Sequence, residues 1–107
     1  MIIGKHEVRG KVMDSFTRCE HYHSELDIVA IKFACCNTYY PCYRCHLETA
    51  GHTAEAWPKA DSNKKAILCG SCHNEMSIEA YKKADSCPFC HADFNPGCEN
   101  HYHYYFG

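Results

Sequence analysis

Cys69-Gly70-Ser71-Cys72 and Cys87-Pro88-Phe89-Cys90 are the two stretches that decide the fold of this chain. Each is a Cys-x-x-Cys turn that aims two sulfur atoms at one point, and fourteen residues separate the two turns. This separation falls just short of the roughly 15–20 residues that are usual for a four-cysteine zinc site. Four thiolates complete the tetrahedron of Zn²⁺ and leave no open position, as in structural zinc sites. The pattern therefore predicts one structural zinc ion within residues 66–91.

The preceding part of the chain, residues 16–52, is even denser in metal ligands and carries enough of them for two more ions. Its eight candidate ligands are Cys19, His21, Cys35, Cys36, Cys42, Cys45, His46 and His52. Cys42 and Cys45 form a third Cys-x-x-Cys turn and should share one ion. His46 follows Cys45 directly, so its ring should point elsewhere. We expect Cys19, His21, Cys42 and Cys45 at one ion, and Cys35, Cys36, His46 and His52 at the other. In the alternative division, the adjacent cysteines bind different ions.

The composition supports zinc as the main source of stability. The chain of 107 residues contains 10 cysteines and 9 histidines but only 17 Ile, Leu, Val and Phe residues. Such a thin core is typical of disordered chains, yet disorder also needs a high net charge, and here it is only -2. Small domains replace a large core by disulfides or metal. No secretory signal is visible at the start of the sequence, and nine histidines suit zinc rather than disulfides.

Charge and hydropathy narrow the classes of partner. Nine bound thiolates and three Zn²⁺ ions would bring the formal net charge from -2 to -5. An acidic particle without a basic stripe is not expected to bind nucleic acid. No stretch approaches the roughly 20 apolar residues of a membrane span. We therefore expect a monomer that contacts an unidentified protein partner. Cysteines that hold metal suit a reducing compartment, so the cytoplasm is the expected location.

The local patterns predict a small, loop-rich α+β fold, stabilised by zinc, with short β-hairpins, zinc knuckles and a short helix around three structural sites. The whole chain, 1–107, is read as one domain. In the first half we expect a weak strand or extended arm at 1–15, a strand at 27–33 with a return at Tyr39-Tyr40, and a helical turn at 42–46. In the second half we expect a loop at 49–66, a strand at 66–68 and a helix at 77–84 that is capped by Ser77. An aromatic tail at 92–107 ends the chain. Trp57 is expected to cover the core. Gly70 suits its turn because glycine adopts positive φ at low cost.

The order of these ligands resembles the CHY-type zinc finger family, in a short stand-alone form. The resemblance runs from Phe16 to Phe106 and rests on Cys19-Glu20-His21-Tyr22, Cys35-Cys36, Cys42-x2-Cys45-His46, His52, the two later Cys-x-x-Cys turns and the Asn95-Pro96-Gly97-Cys98 turn. It implies three structural zinc ions in a small α+β domain. Some members place this module before a RING in a ubiquitin ligase. A short fungal member resides in the mitochondrial intermembrane space and assists small Tim chaperones through a thiol and zinc relay. This sequence contains no RING and no visible presequence.

A second pattern, His23-x-Glu25 followed by Pro41-Cys42-x2-Cys45, matches the written signature of zinc deaminases. The short gap of residues 26–40 leaves little room for the helix and strand of a deaminase core. Cys19 and His21 also stand ready to fill the coordination position that a catalytic zinc keeps open. We therefore do not expect an enzyme, and we assign no catalytic residue.

Cys98, His101 and His103 remain outside the twelve ligands. They could form a fourth, incomplete site with His91 or water, or they could be a buried cysteine and two surface histidines. Cys98 is also the candidate reactive thiol of the alternative function, a thiol or zinc relay that assists other cysteine proteins. His6, His23 and His73 are expected to be unliganded surface residues.

Overall fold

The computed structural model describes residues 2–23, 25–52, 55–84 and 86–94 of the chain. Short strands and two short helices make up its regular structure, together with a 3-10 turn at Lys59–Asp61. In chain order the elements are β1 (Ile2–Ile3), β2 (His6–Glu7), β3 (Val29–Phe33), β4 (Thr38–Tyr40), α1 (Tyr43–Ala50), β5 (Lys65–Cys69), β6 (Glu75–Ser77) and α2 (Ile78–Lys83). The predicted small α+β fold is confirmed.

A four-stranded antiparallel sheet with the order β4-β3-β5-β6 forms the centre of the fold. Its register pairs Ile31 with Tyr40 across β3 and β4, and Ala30 with Leu68 across β3 and β5. Successive side chains of a strand point to opposite faces. The sheet therefore presents two different apolar faces, and both are covered by other parts of the chain.

The larger core lies on the face that carries Phe33, Ile67 and Met76, and several cysteines of the ligand set pack into it. A second, smaller core on the other face contains Ala30, Tyr39 and Leu68. Its cover comes from the N-terminal segment. Burying apolar groups on both faces is how so short a sheet gains stability from so few aliphatic residues.

The N-terminal segment is a packed hairpin, although the sequence indicated only a weak strand or an extended arm. β1 and β2 pair in antiparallel fashion, with Gly4 at φ 64° in the turn between them. Ile3 is 1% exposed and Val8 is fully buried, and both contact the second core. An isolated β-bridge between Val8 and Tyr39 connects this segment to β4, one of the two edge strands of the sheet.

The other expectations about the elements can also be compared with the structure. The strands at 27–33 and 66–68 and the helix at 77–84 are found within one or two residues, and Ser77 Oγ accepts a hydrogen bond from the Ala80 amide at 3.1 Å. The expected helical turn at 42–46 is instead an eight-residue helix that ends at Ala50. Strand β6 was not predicted, because a run of three residues shows no alternation. The expected loop at 49–66 is shortened from both ends.

Trp57 lies where the sequence placed it, against the larger core. Its indole Nε1 donates a hydrogen bond to the backbone carbonyl of Lys32 at 2.6 Å. The side chain is half-buried, and it joins the long connection between α1 and β5 to the sheet. Among the described residues, neither helix approaches the length and hydropathy that a transmembrane span requires.

Candidate metal centres

The twelve predicted side chains lie in three groups of four, and the ligand atoms within each group lie within 4.8 Å of one another. We define site 1 as Cys19, His21, Cys42 and Cys45, site 2 as Cys35, Cys36, His46 and His52, and site 3 as Cys69, Cys72, Cys87 and Cys90. This is the division expected from the sequence. The alternative, in which Cys35 and Cys36 belong to different ions, does not agree with these positions.

Site 1 joins the loop before β3 to the beginning of α1. Cys42 is the N-cap of α1, where its sulfur accepts the Cys45 amide at 3.4 Å. One helical turn later, Cys45 faces the same way. The sulfur atoms of Cys19 and Cys42 are 3.7 Å apart, and His21 Nδ1 lies 3.5 Å from the sulfur atoms of both Cys42 and Cys45.

These separations fit the edges of a zinc tetrahedron. With Zn–S near 2.3 Å and Zn–N near 2.0–2.1 Å, two sulfur ligands should be about 3.8 Å apart, and a sulfur and a nitrogen about 3.6 Å. The chemistry of the ligands also fits zinc, because the three thiols of site 1 are buried and lie close to one point. Hydrogen bonds from Cys42 and then Cys45 lower the pKa of Cys19, whereas the hydrogen bond with Cys19 raises the pKa of Cys42. A divalent cation would let all three sulfur atoms carry negative charge.

A carboxylate outside the ligand set orients His21. His21 Nε2 donates to Glu48 Oε1 at 3.1 Å, which leaves Nδ1 free to act as the ligand. Lys11 Nζ lies 3.4 Å from the other oxygen of Glu48. The hydrogen bond with His21 is the largest of the effects that lower the pKa of Glu48, so this side chain stays ionised. Sequence reasoning missed Glu48. Its spacing of three residues after Cys45 on one helix face was the available signal.

Site 2 joins the turn between β3 and β4 to α1 and to the residues that follow α1. Cys35 and Cys36 have their sulfur atoms 3.8 Å apart. His46 Nε2 lies 3.2 Å from the Cys35 sulfur and 3.7 Å from the Cys36 sulfur. His52 Nε2 lies 3.2 Å from His46 Nε2 and 3.3 Å from the Cys35 sulfur. Because His46 follows Cys45 on the helix, neighbouring residues of α1 serve different sites.

His46 is the buried ligand of site 2. Its ring stacks on Phe33, with centroids 4.3 Å apart and an interplanar angle of 18°. Burial, and then the nearby His52, lower the pKa of His46. A neutral imidazole is the form that binds a metal. In the described part of the chain, His46 Nδ1 is a buried nitrogen without a hydrogen-bond partner.

Site 3 is built from two turns with the same backbone hydrogen bonds. In the first turn, the amide of Cys69 donates to Asn74 O at 3.0 Å and the amide of His73 donates to Cys69 O at 2.8 Å. In the second, the amide of Cys87 donates to Ala92 O at 2.9 Å and the amide of His91 donates to Cys87 O at 2.9 Å. The two turns are therefore copies of one zinc-knuckle geometry.

The sulfur atoms of site 3 also lie at tetrahedral edge lengths, with Cys69 and Cys90 3.8 Å apart and Cys72 and Cys87 3.7 Å apart. Burial raises the pKa of both Cys69 and Cys87. Thiols that resist ionisation in this way need a cation to become thiolates. Four sulfur donors that converge on one point therefore fit zinc.

The expected role of Gly70 is wrong in one respect. Positive φ falls on His73 (65°) and His91 (63°), the fifth residues of the two knuckles, and not on Gly70. Gly70 is required by close packing instead, because a Cβ atom there would lie 2.0 Å from the carbonyl oxygen of Phe16.

We expected His6, His23 and His73 to be unliganded surface residues. Among the described residues they belong to no group of metal-ligating side chains, although His6 and His73 are half-buried and only His23 is exposed. His91, the candidate partner of Cys98 in a fourth site, also lies in none of the three groups. His23 and Glu25, the histidine and glutamate of the deaminase pattern, are exposed. Cys98, His101, His103 and the rest of the aromatic tail lie outside the described residues, so a fourth site there stays a prediction.

Comparison with known proteins gives a consistent result. The family model of the CHY zinc finger matches residues 19–95. The chain is similar to a Kluyveromyces lactis protein named Helper of Tim protein 13, with 45% identity over 102 residues, which covers 95% of this chain and 90% of the relative. The Saccharomyces cerevisiae protein of the same name is 44% identical over 103 residues, or 92% of this chain and 89% of the relative. An uncharacterized Schizosaccharomyces pombe protein is 41% identical over 99 residues, or 92% and 88%.

Proposed function

Because the chain belongs to the CHY zinc finger family, with three Cys/His zinc sites, we propose that it is a zinc-stabilised module that binds another protein and catalyses no reaction of its own. The observation that best supports this proposal is the closure of the sites. Each of the three groups supplies four ligand atoms, which is the full tetrahedral set. A catalytic zinc keeps one position open for water or substrate.

The proposed partner is a Tim protein. Two yeast relatives carry the name Helper of Tim protein 13, and the chain covers about nine-tenths of each. A role in assisting such a protein requires direct contact with it. The net charge of -2 does not favour nucleic acid as an alternative partner.

Isothermal titration calorimetry tests this proposal. The zinc-loaded chain is titrated with a purified, reduced Tim protein from one of the two yeasts, and the metal-free chain serves as the control. We expect saturable binding of the Tim protein to the zinc-loaded chain and no binding to the metal-free chain. An absence of both heat and co-elution on size exclusion would contradict the proposed partner. Size exclusion of the chain by itself also checks the expected monomer.

The second candidate function is a relay, in which the chain passes zinc or a disulfide to or from other cysteine proteins. It is favoured by site 2, where His52 is exposed and Cys35 and Cys36 are half-buried. Native mass spectrometry of both proteins after mixing distinguishes the two functions. Binding with unchanged zinc and thiol content supports the module. Movement of zinc from one protein to the other supports the relay. When one protein starts as its disulfide, loss of two thiol hydrogens by one protein and their gain by the other supports it as well.

We propose the cytoplasm as the location, since the cysteines serve as metal ligands and need reducing conditions. The alternative raised by the family resemblance is the mitochondrial intermembrane space. Fractionation of cells that express a tagged chain, followed by protease treatment of mitochondria with intact and ruptured outer membranes, separates the two. If the chain resists protease in intact mitochondria and is digested only after the outer membrane is ruptured, the cytoplasmic assignment is overturned.

A further inference from the structure

We propose that site 2 is the site that releases its zinc ion to a thiol-bearing acceptor, whereas sites 1 and 3 retain theirs. The inference rests on the second candidate function, the zinc relay, and on the three-zinc scaffold, and it names the site that gives up its ion. Two ions hold the fold together, and the third can be exchanged. The difference follows from four properties of the ligands: their exposure, their anchoring, their charge and their place in the fold.

Exposure separates site 2 from the other two sites. His52 is exposed, Cys35 and Cys36 are half-buried, and only His46 is buried. In site 1 three of the four ligands are buried, and His21 is intermediate. In site 3 two ligands are buried and two are intermediate, so no ligand of either site is exposed. An acceptor approaching from solvent therefore meets the side chain of His52 first.

The histidines of site 2 are also anchored less firmly than the histidine of site 1. His52 follows Gly51, the left-handed C-cap of α1, so it lies outside the helix that carries His46. His21 of site 1, by contrast, is held by the carboxylate of Glu48 at 3.1 Å. Losing an outer hydrogen-bond partner of this kind typically weakens metal binding about 10–100-fold. In the described residues, the second nitrogen of His46 has no such partner.

The charge of the ligand set decides how strongly each site holds a divalent cation. Site 2 supplies two thiolates and two neutral imidazoles, site 1 supplies three thiolates, and site 3 supplies four. The leaving group at site 2 is a neutral, exposed imidazole, so its departure strands no buried charge. The exchange is a ligand substitution without oxidation. Cys35 and Cys36 each take up one proton as the ion leaves, and the thiols of the acceptor give up one proton for each sulfur that binds.

The place of site 2 in the fold makes its loss tolerable. It clamps the turn between β3 and β4, but these strands are also joined by their own register from Ile31 with Tyr40 to Phe33 with Thr38. Site 1 still connects the loop before β3 to α1, and site 3 still connects the end of β5 to residues 87–90. His46 also keeps its stacking contact with Phe33.

Zinc release to the chromophoric chelator 4-(2-pyridylazo)resorcinol tests the inference. The chain carries Cys98→Ser so that the nine site cysteines are its only thiols, and the unsubstituted chain is measured in parallel to show that this change leaves release unaltered. N-ethylmaleimide traps each freed thiol, and peptide mapping identifies it. We expect one ion to leave at least tenfold faster than the other two, with Cys35 and Cys36 alkylated first.

Two variants sharpen the result. His52→Cys adds a third thiolate to site 2 and should slow the fast phase at least tenfold. His23→Ala removes an exposed histidine that lies outside the three sites and should change nothing. Release of all three ions in one phase, or first alkylation in site 1 or site 3, would overturn the inference. Native mass spectrometry before chelation separates this failure from failure of the scaffold, because fewer than three ions at the start would contradict the scaffold itself.

Discussion

At the scale of single residues, side chains outside the ligand set determine how well the sites are built. Glu48 is 44% exposed, yet its carboxylate sets the tautomer of His21 and is itself held by Lys11. Gly70 carries no side chain, yet its Cα lies where the backbone of Phe16 passes. Neither residue is a ligand. Glu48 acts by its hydrogen bond to His21, and Gly70 acts by leaving room for the backbone of Phe16.

The substitution Glu48→Gln should weaken zinc binding at site 1 by about 10–100-fold. The uncharged side-chain amide of glutamine holds the His21 ring less firmly than a carboxylate does. Competition with a chelator of known affinity measures the change. Glu79→Gln is the matched control, since Glu79 is an exposed helix residue that pairs only with Lys83 among the ion pairs of the described residues. Equal zinc affinity in the Glu48→Gln variant and the unsubstituted chain would refute the role of Glu48.

Gly70→Ala should destabilise the zinc-loaded chain by about 1–3 kcal/mol or more, as overpacking against a backbone carbonyl does. The comparison variant is Gly51→Ala, where the space is open but φ is 73°. Its cost should be only about 1 kcal/mol, from backbone strain. Urea denaturation of both variants at constant free zinc gives the two values. A smaller cost at Gly70 than at Gly51 would show that the backbone of Phe16 yields easily.

At the scale of elements, the N-terminal hairpin is part of the core although its sequence shows little of this. Ile2 and Ile3 are adjacent and chemically identical, but Ile2 is 66% exposed and Ile3 is 1% exposed. The alternation of a strand accounts for the difference. The hairpin covers the face of the sheet opposite the larger core, and a network around Tyr39 and Glu75 connects β2, β3, β4 and β6 on that side.

Ile3→Ala should lower the free energy of unfolding by about 2–5 kcal/mol, the usual cost of removing a buried isoleucine. Ile2→Ala should change it by no more than about 0.5 kcal/mol, as exposed positions do. Thermal or urea unfolding of the zinc-loaded variants measures both. Two equally small effects would mean that the hairpin is the loose arm that its sequence indicated.

Tyr39 provides a pH-dependent test of the same face. Its hydroxyl donates to Glu75 Oε2 at 2.6 Å, and burial, followed by this hydrogen bond, raises the pKa of Tyr39 above its ordinary value. Tyr39→Phe should therefore cost about 1.5–3 kcal/mol below pH 10, as for hydrogen bonds to charged groups.

Above pH 10 the unfolded chain loses the Tyr39 proton while the folded chain keeps it, so the unsubstituted protein loses stability there and the phenylalanine variant does not. The difference between the two proteins should then shrink by about 1.4 kcal/mol for each pH unit above 10. Urea midpoints between pH 8 and pH 11 give this slope. A difference that stays constant over the range would argue against the raised pKa.

At the scale of the whole molecule, three zinc sites compensate for a core with few aliphatic side chains. Each site joins segments that are far apart in sequence, such as Cys19 with Cys45 and Cys69 with Cys90. In zinc-finger peptides, structural zinc contributes apparent binding free energies of roughly 10–16 kcal/mol at pH 7. The stability of this chain should therefore depend on zinc more than on any single apolar contact.

Complete removal of zinc by a strong chelator under reducing conditions should unfold the chain in one cooperative transition. Circular dichroism and size exclusion, recorded beside the zinc content, measure this outcome. Removal of the first, rapidly released ion should leave most of the secondary structure in place. Native circular dichroism after all three ions have been removed would contradict zinc as the main source of stability.

The sequence by itself determined the chemistry of this protein: twelve candidate side chains, enough for three tetrahedral sites, with Cys69, Cys72, Cys87 and Cys90 as one group of four. It left open how the other eight candidate ligands divide between two ions. The ligand set can be predicted because a Cys-x-x-Cys turn fixes two ligands locally. The tertiary structure alone decided how the eight ligands of sites 1 and 2 divide, the packing of Ile3 and Val8 on the second face of the sheet, the pairing of Glu48 with His21 and the exposure of His52. Each of these depends on contacts between distant segments, or on their absence. Spacing can place a residue such as Glu48 on a helix face, but it does not show which distant side chain that residue meets.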